Sequence, residues 1–207
     1  FIVFDGGDGV GKSTQALKLA VWVASGGREV VLTFQPGDTP IGATLRDLVL
    51  NPKWADVSPR AEALMYAADK AQHVHEVVLP ALRRGAVVIS DRYVDSMLAY
   101  QGAGRVLEPE RVEQVARWAT EDLLPDLTVL LDLEPQRGLA TIESKDRVED
   151  AGEEFHVRAR QFFLDLAARD SEHYLVLPAR TGVKLLAGRI RERVAPLLSD
   201  PGGRVEP

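Results

Sequence analysis

Cysteine is absent from this chain of 207 residues. Its absence excludes disulfides, thiolate metal sites and cysteine nucleophiles, and suits a reducing compartment, so the expected location is cytoplasmic. No apolar run approaches the ~20 residues a membrane-spanning helix requires, and no charged-then-apolar leader precedes the first apolar run. The expectation is a segment without membrane contact. Excess positive charge is missing too: 25 Lys and Arg against 31 Asp and Glu leave a net charge of −6. That balance argues against a nucleic-acid partner, whereas a small anionic substrate needs only a local cluster of cations. No internal repeat and no interdomain linker is visible. The chain opens at Phe1, already inside what reads as a buried strand, which is compatible with a segment of something longer.

With 45% hydrophobic residues the chain can bury one substantial core without covalent staples. Apolar, β-branched runs recur at 1–5, 29–33, 86–91, 127–133 and 174–177. Between them, helical periodicity predicts helices near 12–25, 39–50, 59–84, 108–123, 135–143, 153–168 and 182–198. This alternation predicts an α/β fold with a five-stranded parallel sheet flanked by helices, in a single domain over 1–198. The charged stretch Ser144 to Gly152 reads as an exposed, mobile loop, a lid over about 143–152, and 199–207 as a flexible tail.

The strongest motif is Gly6-Gly7-Asp8-Gly9-Val10-Gly11-Lys12-Ser13, followed by Thr14. It fits the phosphate-loop pattern G-x-x-x-x-G-K-[ST] and sits where a strand should turn into a helix. Its glycines let backbone N–H groups converge on phosphate oxygens, Lys12 can reach the β- and γ-phosphates, and the Ser13 hydroxyl is placed to ligate Mg²⁺. A nucleoside triphosphate, ATP, is the expected ligand. A second signature, Ser90-Asp91-Arg92-Tyr93, closes another buried strand at the sheet edge where such folds bind ligands. There Asp91 can hold metal-bound water and Arg92 can neutralise phosphate; a simple strand-end ion pair is the alternative. On the long helix, Leu64, Ala68, Ala71 and Val78 keep helical spacing as a core stripe, which leaves Tyr66 and Lys70 together on the far side. An aromatic and a cation so placed can stack on and hydrogen-bond a base, or form a surface pair. The histidines at 73, 75, 156 and 173 show no metal-ligand spacing.

The phosphate loop, Ser90-Asp91-Arg92-Tyr93-Val94-Asp95-Ser96 with Leu98-Ala99-Tyr100-Gln101-Gly102-Ala103-Gly104-Arg105, and Pro125-Asp126-Leu127-Thr128-Val129-Leu130-Leu131-Asp132-Leu133 together resemble the thymidylate kinase family, in register from Phe1 to about Leu198. The resemblance implies a three-layer P-loop kinase fold, transfer of the γ-phosphoryl group of ATP to dTMP with Mg²⁺, and a homodimer. It also implies roles. Asp8 approaches the deoxyribose 3′-hydroxyl, Arg46 and Arg92 hold the acceptor phosphate, Tyr100 lines the acceptor site and Gln101 reads the thymine edge. Glycine at position 9 suggests the variant whose catalytic cation comes from the lid, with Arg147 the leading candidate beside Lys145. A turn residue at Asp8, a solvated helix arginine at Arg46, a packed aromatic at Tyr100 and a solvated loop charge at Arg147 are the plainer alternatives.

The chain departs from the family pattern at several positions. Arg-Glu-Pro-Gly-Gly-Thr is replaced by Phe34-Gln35-Pro36-Gly37-Asp38-Thr39, so a cation and a carboxylate near the acceptor are missing. Tyr66 and Lys70 stand for Phe and Arg, Met97 for a small polar residue beside the base, and Thr141-Ile142 where a basic residue is frequent. These differences leave open a kinase of another pyrimidine monophosphate, or a nucleotide-binding regulatory module whose catalysis has decayed.

Overall fold

In the computed structural model, which describes residues 1–199, β1 (Ile2–Gly6), β2 (Val30–Phe34), β3 (Val87–Asp91), β4 (Leu127–Asp132) and β5 (Tyr174–Pro178) form one parallel sheet in the order β2-β3-β1-β4-β5. Side chains alternate faces along each strand. Val3 and Val88 enter one core cluster, with Ala63 and Ala67 of α3 (Pro59–His73) and Val112 and Ala116 of α6 (Pro109–Ala119). Ile2, Phe4 and Ile89 enter another, with Leu19 and Val23 of α1 (Lys12–Ser25) and Leu186 and Ile190 of α9 (Val183–Ser199). Burial on both faces explains why β1 reads as an unbroken apolar run rather than an alternating one. The site therefore sits at the C-terminal edge of a sheet sandwiched between helices.

The predicted strands hold to within a residue at most ends. The predicted helix over 59–84 is continuous but not uniform: α3 passes through a π-helical stretch, Val74–Val78, into the short α4 (Leu79–Arg83), where Pro80 occupies the second position. The predicted helix over 39–50 is α2 (Pro40–Leu50), whose Thr39 hydroxyl accepts from the Gly42 N–H. The helices expected over 108–123 and 135–143 end early, at Ala119 and, for α7 (Pro135–Leu139), at Leu139. Glu121 and Asp122 adopt positive φ, which stops α6.

Three expectations need correction. No helix was expected between 91 and 108, yet α5 (Val94–Met97) continues into a π-helical segment, Leu98–Gly104. Its residues are buried on nearly all sides, so the sequence carries no amphipathic period to reveal it. The core stripe of α3 also lies elsewhere: Leu64 and Ala68 are exposed, and Ala63, Ala67, Val74 and Val78 face the core. Finally, Ser144 to Gly152 is not exposed throughout. Val148 packs into the cluster of Tyr100 and Phe155, and the Arg147 N–H donates to the Leu50 carbonyl at 2.9 Å. The expected tail lies outside the described residues except for Ser199, the last residue of α9. Between the lid and β5 runs α8 (Glu153–Arg169).

Candidate active site

At the end of β1 the backbone turns sharply enough to need glycine. Gly6 has φ +127°, and a Cβ there would collide with the Leu131 carbonyl of the adjacent β4. Val10 is buried in the core and anchors the loop, while Lys12 opens α1 and Thr14 is exposed on its first turn. The Lys12 ammonium donates to the carbonyls of Gly7 (2.5 Å) and Gly6 (3.2 Å). Burial, assisted by the nearby Arg92 cation, pushes its pKa down to about 8. Ser13 donates its hydroxyl to Asp91 Oδ2 at 2.5 Å, so the phosphate-loop hydroxyl and the carboxylate ending β3 meet. Hydroxyl and carboxylate oxygens are the hard donors that suit Mg²⁺ accompanied by water and phosphate oxygens.

Arg92 follows immediately, with φ +74°. A non-glycine residue in this region is held by its surroundings. Its N–H donates to the Phe4 carbonyl at 2.9 Å, and the turn sends the guanidinium back over the phosphate loop. There it donates to the Gly6 carbonyl (3.1 Å), to Ser96 Oγ (2.9 Å) and to Asp8, and lies 5.2 Å from the centre of the Tyr100 ring. Tyr100 in turn donates to the other Asp8 oxygen at 3.2 Å. Burial pushes the Asp8 carboxyl up, but Arg92 and Lys12 outweigh it and hold the group ionised below the usual carboxylate range. Beneath them Asp5, fully buried, accepts from Ser96 at 2.5 Å, and burial raises its pKa.

Two cavities adjoin at this point. One, of about 540 Å³, opens over Lys12, Ser13 and Asp91; the other, of about 120 Å³, is bordered by Tyr66, Lys70, Met97, Tyr100 and Gln101. Asp8, Arg46 and Arg92 border both. The adjoining cavities thus gather a lysine, two arginines and the Ser13–Asp91 pair, an arrangement able to bring two phosphate groups face to face. Arg46 donates to the Pro36 carbonyl at 2.7 Å and lies 5.9 Å from the Phe34 ring centre. Lys70 is 2% exposed, so it is no surface cation, and Tyr66 is only partly exposed.

Of the residues named from sequence, Asp8, Gly9, Lys12, Ser13, Arg46, Tyr66, Lys70, Asp91, Arg92, Met97, Tyr100 and Gln101 border these cavities, Gly6, Gly7, Val10, Gly11 and Thr14 belong to the loop and first turn beside them, and Arg147 stands apart. Its guanidinium donates to the Val49 carbonyl at 2.9 and 2.7 Å and pairs with Glu62 at 2.5 Å; among the described residues it makes no hydrogen bond to the phosphate loop. Glu62 itself escaped the sequence reading. It is fully buried and accepts from Gln101 (2.9 Å) and twice from Arg105 (3.1 Å each). Burial pushes its carboxyl up, and Arg105, Gln101 and Arg147 more than reverse the shift. The spacing Glu62, Tyr66, Lys70, His73 is one helical face of polar groups, the signal that would have found it. Lys145, the other lid cation, is exposed.

A family model described as thymidylate kinase matches residues 4–190. The chain belongs to the thymidylate kinase family. Relatives named "Thymidylate kinase" include one from Cutibacterium acnes, 56% identical over 96% of this chain and 98% of its own length. Another, from Leifsonia xyli, is 51% identical over 94% and 93%. A solved thymidylate kinase from Ehrlichia chaffeensis superposes with a TM-score of 0.77 at 27% identity, covering 94% of this chain and 97% of that one. Against the thymidylate kinase pattern, the carboxylate expected near position 35 is not wholly lost: Asp38 borders the larger cavity and accepts from Thr33. Phe34, where a cation was expected, instead supplies a ring beside the guanidinium of Arg46.

Proposed function

We propose that this chain transfers the γ-phosphoryl group of ATP to dTMP, giving dTDP and ADP, with Mg²⁺ bound by way of Ser13 and Asp91. Membership of the thymidylate kinase family supports the reaction. The observation that carries the assignment of the site is the Arg92 guanidinium, which spans the phosphate loop and the acceptor cavity while tied to Asp8. Mg²⁺ supplies charge neutralisation on the phosphates. Backbone N–H groups of 6–14 cradle the donor phosphates, Lys12 stands at the β- and γ-phosphates, and Arg46 with Arg92 holds the acceptor phosphate. Asp8 takes the deoxyribose 3′-hydroxyl. Tyr66, Lys70, Met97, Tyr100 and Gln101 enclose the base. No general base is required, because the acceptor phosphate is already ionised and positioning with charge neutralisation lowers the barrier.

Arg147 is the proposed transition-state cation. In that role it leaves Glu62 and Val49 as the lid closes, and Glu62 keeps Gln101 and Arg105. The chain acts in the cytoplasm; among the described residues no helix is long and apolar enough to cross a membrane. It pairs as a homodimer through the groove between α3 and α6, where Leu64 and Val106 are 59% and 76% exposed.

The test is ADP release from Mg·ATP with dTMP, dUMP, UMP, dCMP or dGMP, with Lys12→Ala as the blank. Release led by dTMP and absent from the variant is expected. A different leading acceptor would reassign the substrate, and ATP binding without acceptor-dependent release would mark a module that has lost catalysis.

A further inference from the structure

Below the acceptor cavity, between β2 and α3, runs a row of buried polar side chains whose hydrogen bonds all point one way. Lys70, Gln35, His73 and Thr33 are each at most 3% exposed, and the row ends on the partly exposed Asp38. An ammonium can only donate, so the 2.8 Å contact from Lys70 must reach the Gln35 oxygen. That orientation turns the Gln35 amide nitrogen toward His73 Nδ1 at 2.7 Å. Facing an N–H, Nδ1 must present its lone pair, and the neutral ring carries its proton on Nε2. This proton is donated to Thr33 Oγ1 at 2.5 Å, and the Thr33 hydroxyl donates in turn to Asp38 Oδ2 at 2.5 Å. The row is a relay from a cation to a carboxylate in which every link polarises the next.

Burial and the neighbouring Lys70 push the His73 pKa down to about 4, so the ring stays neutral. The residue at 35 sets the direction. A carboxylate there would accept from both neighbours and call for a proton on Nδ1, whereas the amide accepts on one side and donates on the other. At the cavity end, Lys70 also donates to the Tyr93 carbonyl at 2.8 Å. Of its three N–H bonds, one is left for the cavity it borders with Tyr66 and Met97.

We propose that His73 is a positioning residue for the acceptor base: without touching the ligand, it locks Gln35, which aims the Lys70 ammonium at a carbonyl oxygen on the base edge. The base-recognition half of this proposal rests on the dTMP reading of the cavity. The relay half does not, and the experiment separates them.

In the intact protein without nucleotide, ¹⁵N-edited NMR should find His73 Nε2 protonated and Nδ1 unprotonated between about pH 5.5 and 7, where the Lys70 ammonium, its pKa pushed down to about 8 by burial, is still charged. A proton on Nδ1, or a cationic ring in that range, overturns the relay. In steady-state assays His73→Ala should raise KM for dTMP about tenfold, with kcat and KM for ATP within about twofold of wild type. Added to Lys70→Ala, it should raise KM no further, because both act through one ammonium. Additive effects, or a loss confined to kcat, overturn the positioning role. Should His73→Ala fail to fold, Gln35→Leu cuts the adjacent link and carries the same expectation. A wild type inactive on every pyrimidine monophosphate overturns the substrate reading and base positioning together, while the NMR result decides the relay by itself.

Discussion

Arg92 and Asp8, 84 positions apart, are joined by a hydrogen-bonded ion pair over the phosphate loop. The same guanidinium also reaches the Gly6 carbonyl and the Ser96 hydroxyl, so its planar fork meets groups that the single nitrogen of a lysine ammonium cannot span together. Arg92→Lys is expected to lower kcat/KM for dTMP at least ~100-fold while ATP affinity changes little. Parallel measurement of ATP binding and steady-state kinetics checks this; an unchanged kcat/KM would remove Arg92 from the reaction.

Arg147 gives a sharper test because it already has partners. Arg147→Ala is expected to lower the single-turnover rate by ~10³-fold, the magnitude typical of a lost transition-state arginine, with dTMP affinity little changed. If the rate survives and dTMP affinity falls, Arg147 is a latch on Glu62 and Gln101, not a source of transition-state charge.

The phosphate loop and α7 touch backbone to backbone. A Cβ on Gly138 would collide with the Asp8 carbonyl, and one on Gly9 with the Gly138 carbonyl and the Thr141 hydroxyl. Gly138→Ala must therefore displace the loop or the helix, and should cost about 2 kcal/mol or more in denaturant unfolding and weaken ATP binding. Ala140→Gly, two residues on at the exposed cap that follows α7, serves as the control for a general effect of substitution there.

Asp95 links the site to pH. Burial, with the Asp5 carboxyl adding to it, raises its pKa to about 7, and Tyr174 donates to its Oδ2 at 2.6 Å. The folded value lies above the unfolded one, so the contribution to stability is complete below about pH 4 and is lost as pH rises through 7. Asp95→Asn, neutral throughout, should match wild type near pH 4 and exceed it by roughly 1–3 kcal/mol above pH 7. Urea unfolding at both ends of that range decides it, and an equal effect at both would mean Asp95 is ionised in the folded protein.

Much of this architecture was legible because the relevant signals are local. The phosphate loop, the strand-end Asp91-Arg92 and the strands announce themselves in runs of a few residues. What escaped is what depends on burial from every side. The helix carrying Tyr100 and Gln101 has no polar face to set a period, and on α3 the stripe of Leu64 and Ala68 reads as core although both are exposed, because a face bearing a buried lysine is rare. Lys70 reverses that rule through Gln35 and the Tyr93 carbonyl, partners brought to it by the fold. The packing of the lid escaped for a similar reason, since nothing near Arg147 in the chain foretells Glu62.

β1 and β3 lie side by side, Phe4 opposite Asp91, so Ser13 and Asp91 meet only after segments more than eighty residues apart have paired. Pairing of that separation carries a large loop-closure cost and comes late among folding events. Enzymatic activity recovered during refolding is therefore a readout of the completed sheet, whereas helix content measured by circular dichroism should return ahead of it.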